Sequence, residues 1–144
     1  MVATILFLGA NPSDTTHLAL DREVREIDQR LYAADRRASF ELEQAWAVRA
    51  ADLQQCLLRY RPAIVHFSGH GSAAGQILLE DEAGLAAPVA PEALSALFRI
   101  LGRGVRCVVL NACYSEAQAR AIAAHVDCVV GMSAAVLDSA AMAF

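Results

Sequence analysis

The sequence contains no lysine, and all twelve of its basic residues are arginines. That absence excludes a Schiff-base intermediate or a lysine acting as general base. Long apolar runs are missing as well, since none reaches the roughly 20 residues that a membrane-spanning helix needs. The first residues carry no basic segment of the kind that opens a signal peptide. We therefore expect no contact with a membrane.

Clusters of positive charge are absent too, and the net charge is −4, which argues against nucleic acid as the main ligand. No two cysteines form a CxxC pair, and a disulfide framework is not expected in a chain with this much apolar core. The cysteines are Cys56, Cys107, Cys113 and Cys128. This pattern predicts a reducing, cytoplasmic setting, and no cofactor is expected.

The sequence does contain many apolar residues, arranged in strand-like and helix-like segments that alternate along the chain. Hydrophobic residues make up 56% of the 144 residues, enough for one domain with a substantial core. Five strand-like runs alternate with segments of helical periodicity, which predicts an α/β fold with a mostly parallel sheet. The predicted strands span residues 4–9, 40–48, 63–68, 105–111 and 127–132.

The segments between these strands carry helix and turn signals. Residues 20–31 predict a helix whose charged residues, including Glu23, face solvent. Residues 76–89 are typical of a β-hairpin, and Ser115 with Gln118 has the spacing of a capping box. Residues 138–144 have the pattern of another helix start.

Two apolar runs end in residues suited to proton or nucleophile chemistry. Residues 64–71 read IVHFSGHG and place His70 between two glycines, while residues 107–114 read CVVLNACY and place Cys113 just past a strand. In a parallel sheet, the carboxyl ends of neighbouring strands open into one crevice. We therefore expect His70 and Cys113 to meet, although they are 43 residues apart.

This pair has the composition of a thiol nucleophile with its general base. Cys113 lies just before the predicted helix start at Ser115, where the helix dipole and backbone N–H groups favour a thiolate. Glycine beside His70 allows a tight turn and close approach of a substrate. The N–H groups of Gly71 and Cys113 are the candidate oxyanion hole, so the parts of acyl transfer are all present.

The other cysteines and histidines have simpler interpretations. Cys56, Cys107 and Cys128 are predicted to be packing residues, and His66 a hydrogen-bonded core residue. A metal site made of His66, His70 and Cys113 is disfavoured. An x3 spacing suits a helix rather than a strand end, and neither loop supplies an acidic ligand.

The two loops together resemble the CHAT domains of bacteria, caspase-like relatives of caspases, separases and gingipains. The residues that carry the resemblance are 66–71, HFSGHG, and 110–115, LNACYS, with Asn11-Pro12, residues 20–27 and residues 125–132 extending it. The resemblance spans essentially the whole chain, so we interpret residues 1–144 as one CHAT domain.

That resemblance implies a three-layer, caspase-like sandwich and hydrolysis of peptide bonds by a Cys–His dyad. By position, His70 matches the catalytic histidine, Cys113 the nucleophile and Gly71 the oxyanion-hole amide. The family domain continues past the point where this sequence stops, so the sheet is expected to be incomplete at its C-terminal end. A protein or peptide substrate and a sensor or TPR-type regulatory module are the expected partners.

Substrate preference and activity leave more than one hypothesis open. The end of the fifth strand should lie beside the fourth, which makes Met132 and Ser133 candidates for the substrate pocket. An alternative function is a catalytically silent signalling module of the same family. An amidotransferase-type glutaminase is disfavoured, because its nucleophile elbow expects glycine where Ala112 and Tyr114 stand.

Overall fold

The computed structural model describes residues 1–134. The strands of its main sheet are β1 (Ala3–Gly9), β2 (Phe40–Ala45), β3 (Ile64–Ser68), β7 (Cys107–Asn111) and β8 (Cys128–Val130). The helices are α1 (Leu20–Ala33), α2 (Ala50–Tyr60), α3 (Pro91–Leu101) and α4 (Glu116–Ile122). Three short strands form a second sheet, β4 (His70–Gly71), β5 (Ile77–Glu80) and β6 (Ala86–Val89).

The main sheet has the strand order β2-β1-β3-β7-β8, and all four neighbouring pairs are parallel. This confirms the predicted α/β class with a mostly parallel sheet flanked by helices. All five predicted strands exist, with ends shifted by up to three residues. The second strand, predicted to reach residue 48, ends at Ala45 because Ala47 adopts a left-handed backbone with φ of 52°.

Alternating side chains divide the sheet into two faces. On one face, Leu6, Leu8, Phe67 and Leu110 join the apolar core together with side chains of α2 and α3. The helix residues that enter this core are Leu53, Leu57, Leu94 and Phe98. On the opposite face, Phe7 stacks on His66, with ring centroids 5.5 Å apart. These layers bury the sheet on both sides, as parallel sheets require.

The predicted hairpin is confirmed as β5 and β6, but it has a partner that the sequence did not reveal. Residues His70 and Gly71 form β4, which pairs antiparallel with β5. The loop that carries His70 is thus held by a second sheet rather than being a free turn. The predicted helix start at residues 138–144 lies outside the described residues. Within residues 1–134, no helix has the length and apolar character needed to cross a membrane.

Candidate active site

The two candidate loops lie side by side at the carboxyl end of the sheet. Strands β3 and β7 pair in parallel register as far as Ser68 and Asn111. Just beyond, the Gly69 N–H donates to the Asn111 carbonyl at 3.3 Å. His70 and Cys113 each stand two residues past this last pair, so the sheet places them on adjacent strand ends as the sequence predicted.

The backbones of Gly71 and Cys113 are in direct contact. A Cβ atom at Gly71 would lie 1.7 Å from the Cys113 carbonyl oxygen and 3.3 Å from its amide nitrogen. Real Cβ atoms are essentially never closer than 3.0 Å to such neighbours. The sequence assigned this glycine to a tight turn, but Gly71 does not have a positive φ. Only glycine fits because the Cys113 peptide occupies the space of a side chain.

The His70 ring is fixed by a backbone carbonyl. Its Nε2 lies 2.5 Å from the carbonyl oxygen of Thr16. A carbonyl oxygen can only accept a hydrogen bond, so Nε2 carries the ring proton and donates a hydrogen bond to Thr16. In the neutral ring, Nδ1 is then left as an acceptor, which is the form that a general base requires. The sequence offered no signal for Thr16, since a backbone acceptor does not depend on side-chain type.

The loop that supplies this carbonyl is closed by Asn11. Its Nδ2 donates to the Leu18 carbonyl at 2.9 Å, and its Oδ1 accepts from the Leu18 N–H at 3.1 Å. The β5–β6 hairpin holds the same loop from the other side. The Ser13 N–H donates to Gly84, and the Asn11 N–H donates to the Glu80 carboxylate at 3.0 Å. The hairpin therefore braces both His70 and its acceptor.

Backbone geometry also constrains the cysteine loop. Cys113 is half-buried, and Tyr114 directly after it has a left-handed φ of 54°, which is uncommon for a residue with a bulky side chain. The chain turns sharply there before α4 begins. Ser115 is the first residue beyond the turn, but its hydroxyl donates to the Leu110 carbonyl instead of capping the helix.

The predicted capping box is therefore wrong. Gln118, its second member, donates from Nε2 to the Val89 carbonyl at 2.8 Å and is completely buried. The Ser115 hydroxyl accepts from the Met132 N–H at 2.9 Å, and the Met132 carbonyl accepts from the Glu116 N–H. The segment after β8 is thereby bound to the start of α4. Met132 is half-buried and Ser133 exposed beside the cysteine loop, and their contact with substrate remains a prediction.

A buried carboxylate lies on the α1 face of the sheet, where the sequence predicted a solvated one. Glu23 is only 5% exposed. Its Oε1 accepts from His66 Nε2 at 2.8 Å and from Asn111 Nδ2 at 2.9 Å, and its Oε2 accepts from the Ser68 hydroxyl. The placement of His66 as a hydrogen-bonded residue is confirmed. The available signal for Glu23 was its position one residue before Val24 in the buried stripe of α1.

This burial has a consequence for acid stability. Burial alone would raise the pKa of Glu23, but hydrogen bonds from His66, Ser68 and Asn111 and the charge of protonated His66 hold it below its ordinary 4.5. Because the pKa of Glu23 is lower in the folded state than in the unfolded state, the ionised carboxylate stabilises the fold at a pH above its unfolded-state pKa. This contribution is lost as the pH falls through the folded-state pKa. Glu23→Gln should therefore weaken the pH dependence of the urea unfolding midpoint between about pH 5 and 3. Glu26→Gln, on the exposed face of α1, should leave it unchanged; full pH dependence in Glu23→Gln would contradict the assignment.

The other thiols differ from Cys113 in their surroundings. Burial raises the pKa of Cys107 to about 11, with a further increase from the neighbouring thiol of Cys128. Burial, followed by the charge of Asp52, also raises the pKa of Cys56. Both are poor nucleophiles at neutral pH, as packing residues are. Cys128 is exposed, so its assignment to packing is wrong.

The two histidines of the first loop have different partners, His66 binding Glu23 and His70 binding Thr16. In residues 1–134, no group of three or more His, Cys, Asp or Glu side chains could hold a metal ion. The thiol of Cys113 and the imidazole of His70 both follow strand ends at the carboxyl edge of the sheet.

Two curated proteins are similar to this chain over most of its length. A Roc-COR-CHAT protease from an unknown prokaryotic organism is 31% identical over 147 residues, covering 97% of this chain. A probable protease from Gillisia limnaea is 24% identical over 135 residues, covering 92% of it. The chain spans 14% and 24% of the lengths of these relatives. No protein-family model matches the sequence.

These relatives support a CHAT-domain, protease-like family for this chain, which confirms the resemblance inferred from the two loop motifs. The family likeness extends over both strand ends, and the structure gives them the adjacency that a two-residue site needs.

Proposed function

We propose that this chain is a cysteine endopeptidase domain in which Cys113 is the nucleophile and His70 the general base. The observation that carries the proposal is the contact between the Gly71 and Cys113 backbones, which holds the two loops together at one sheet edge. The hydrogen bond from His70 Nε2 to Thr16 adds the orienting group that a base of this kind needs. The names of both relatives support proteolysis.

The proposed reaction proceeds through a thioester. Cys113 Sγ transfers its proton to His70 Nδ1 and attacks the scissile carbonyl carbon, while the N–H groups of Gly71 and Cys113 stabilise the oxyanion. His70 then donates that proton to the departing amine as the C–N bond breaks. Water, deprotonated by His70, attacks the thioester carbon and releases the new carboxylate, and the thiol recovers its proton.

The substrate in this proposal is a protein or peptide. We assign Met132 and Ser133 to its binding site, because the segment after β8 is bound to the start of α4 next to the cysteine loop. Regulation by a sensor or TPR-type module, and the single CHAT domain over residues 1–144, belong to the same proposal.

Selective alkylation of the four cysteines tests the proposed dyad. With iodoacetamide at pH 7, Cys113 should react faster than Cys56, Cys107 and Cys128, because the proposed dyad pairs only the Cys113 thiol with an imidazole base. Peptide mass spectrometry resolves the four rates within one sample. His70→Ala should lower the alkylation rate of Cys113 to that of the other cysteines, whereas Cys128→Ala should leave the rate of Cys113 unchanged.

The same measurement separates the enzyme from a silent signalling module. If Cys113 in the folded wild-type protein reacts no faster than Cys128, and His70→Ala changes nothing, the dyad is refuted. The silent module is then the better description of this domain.

A further inference from the structure

The Glu23 carboxylate joins three structural elements beneath the candidate active site. It belongs to α1, and it accepts hydrogen bonds from His66 and Ser68 on β3 and from Asn111 on β7. Burying a carboxylate is costly unless donors satisfy it, and here three side chains do so. Glu23 is 5% exposed, Ser68 2% and Asn111 5%, so water has little access to these bonds.

Two of the donors lie at matching positions on β3 and β7, each shortly before a candidate catalytic residue. Ser68 is two residues before His70, and Asn111 is two residues before Cys113. Ser68 and Asn111 are also register partners, the last matched pair of β3 and β7. One carboxylate therefore holds the ends of both strands at the point where the two candidate catalytic loops leave the sheet.

We propose that Glu23 is a positioning residue, which sets the separation of His70 and Cys113 by holding Ser68 and Asn111 together on the α1 face of the sheet. The proposal rests on the dyad proposed above. Each bond is charge-assisted, and those from Ser68 and Asn111 are buried, so the strand ends keep one relative position. Nucleophile and base depend on such positioning, because an error of 1 Å can cost about 100-fold in rate.

The test measures alkylation of Cys113 by iodoacetamide from pH 6 to 9, with Cys128 in the same protein as the internal reference. In Glu23→Gln, an amide NH₂ replaces one acceptor oxygen and faces a donor, which should separate the strand ends. The rate ratio of Cys113 to Cys128 should fall by ~10- to 100-fold at pH 7. Its pH profile should approach that of an ordinary thiol.

Two control variants distinguish positioning from general loss of stability. Glu26→Gln, one turn away on the exposed face of α1, should retain the wild-type ratio and profile. Leu57→Ala removes a core side chain on the other face of the sheet and should lower the unfolding midpoint, yet keep the ratio in the folded protein. An unchanged ratio and profile in folded Glu23→Gln, or an equal fall of the ratio in Leu57→Ala, would overturn the proposal.

A milder variant covers the case in which Glu23→Gln does not fold. Ser68→Ala removes one donor and leaves the other two, so the ratio should fall in the same direction but less; a wild-type ratio would refute the positioning role. The dyad is judged separately, by the wild-type profile and by His70→Ala. If the faster alkylation of Cys113 depends on His70 but not on Glu23, the positioning role of Glu23 is refuted and the dyad is retained.

Discussion

Replacing Cys113 with alanine should abolish peptide-bond cleavage while the fold stays intact. The side chain is half-buried at a loop beyond β7, and the apolar core does not depend on it. Alanine keeps the Gly71 contact, which involves only the backbone of residue 113. The loss should therefore be chemical, and removing a nucleophile of this kind can cost about 10⁶-fold in kcat.

The assay follows the release of fragments from casein by the full gene product. Cys128→Ala is the matched control, because that thiol is exposed on β8 and is expected to have no role in cleavage. Urea unfolding of both variants shows whether the fold is retained. Cleavage at the wild-type rate by Cys113→Ala would remove this residue from the mechanism and with it the proposed thioester.

Gly71→Ala should have the second largest effect, because it moves the two loops apart. The added Cβ would lie 1.7 Å from the Cys113 carbonyl oxygen and 2.8 Å from its carbon, and neither is a flexible side-chain end. The backbone must shift by more than an ångström, for which a loss of about 100-fold or more in rate is expected. Overpacking of this kind also costs about 1–3 kcal/mol of stability.

Gly104→Ala is the matched control for this substitution. Gly104 has a φ of 96°, and a Cβ atom added there would meet nothing within 4 Å, so alanine is strained without a steric clash. It should lose some stability, as Gly71→Ala does, and keep the cleavage rate. Equal rates for Gly71→Ala and the wild type would show that the contact between the loops does not matter for activity.

Much of the fold followed from local pattern. Strand-like runs alternating with helical periodicity predicted a parallel sheet, and that sheet brings His70 and Cys113 to adjacent strand ends whatever the intervening sequence. The C-terminal end of β2 could not be predicted, because no residue type signals the left-handed backbone at Ala47. The strand at His70 and Gly71 could not be predicted either, because a two-residue strand is too short to show an alternation of apolar and polar residues.

The chain by itself determined the order of strands along it, the two chemical groups of the candidate site and the likeness to CHAT domains. Tertiary structure alone decided three further features: Glu23 is buried, Thr16 supplies the acceptor for His70, and Gly71 contacts Cys113. The physical reason is that each of these depends on what lies opposite in space. A carboxylate at the border of a helix stripe is buried only if donors face it, and backbone contacts carry no side-chain signature.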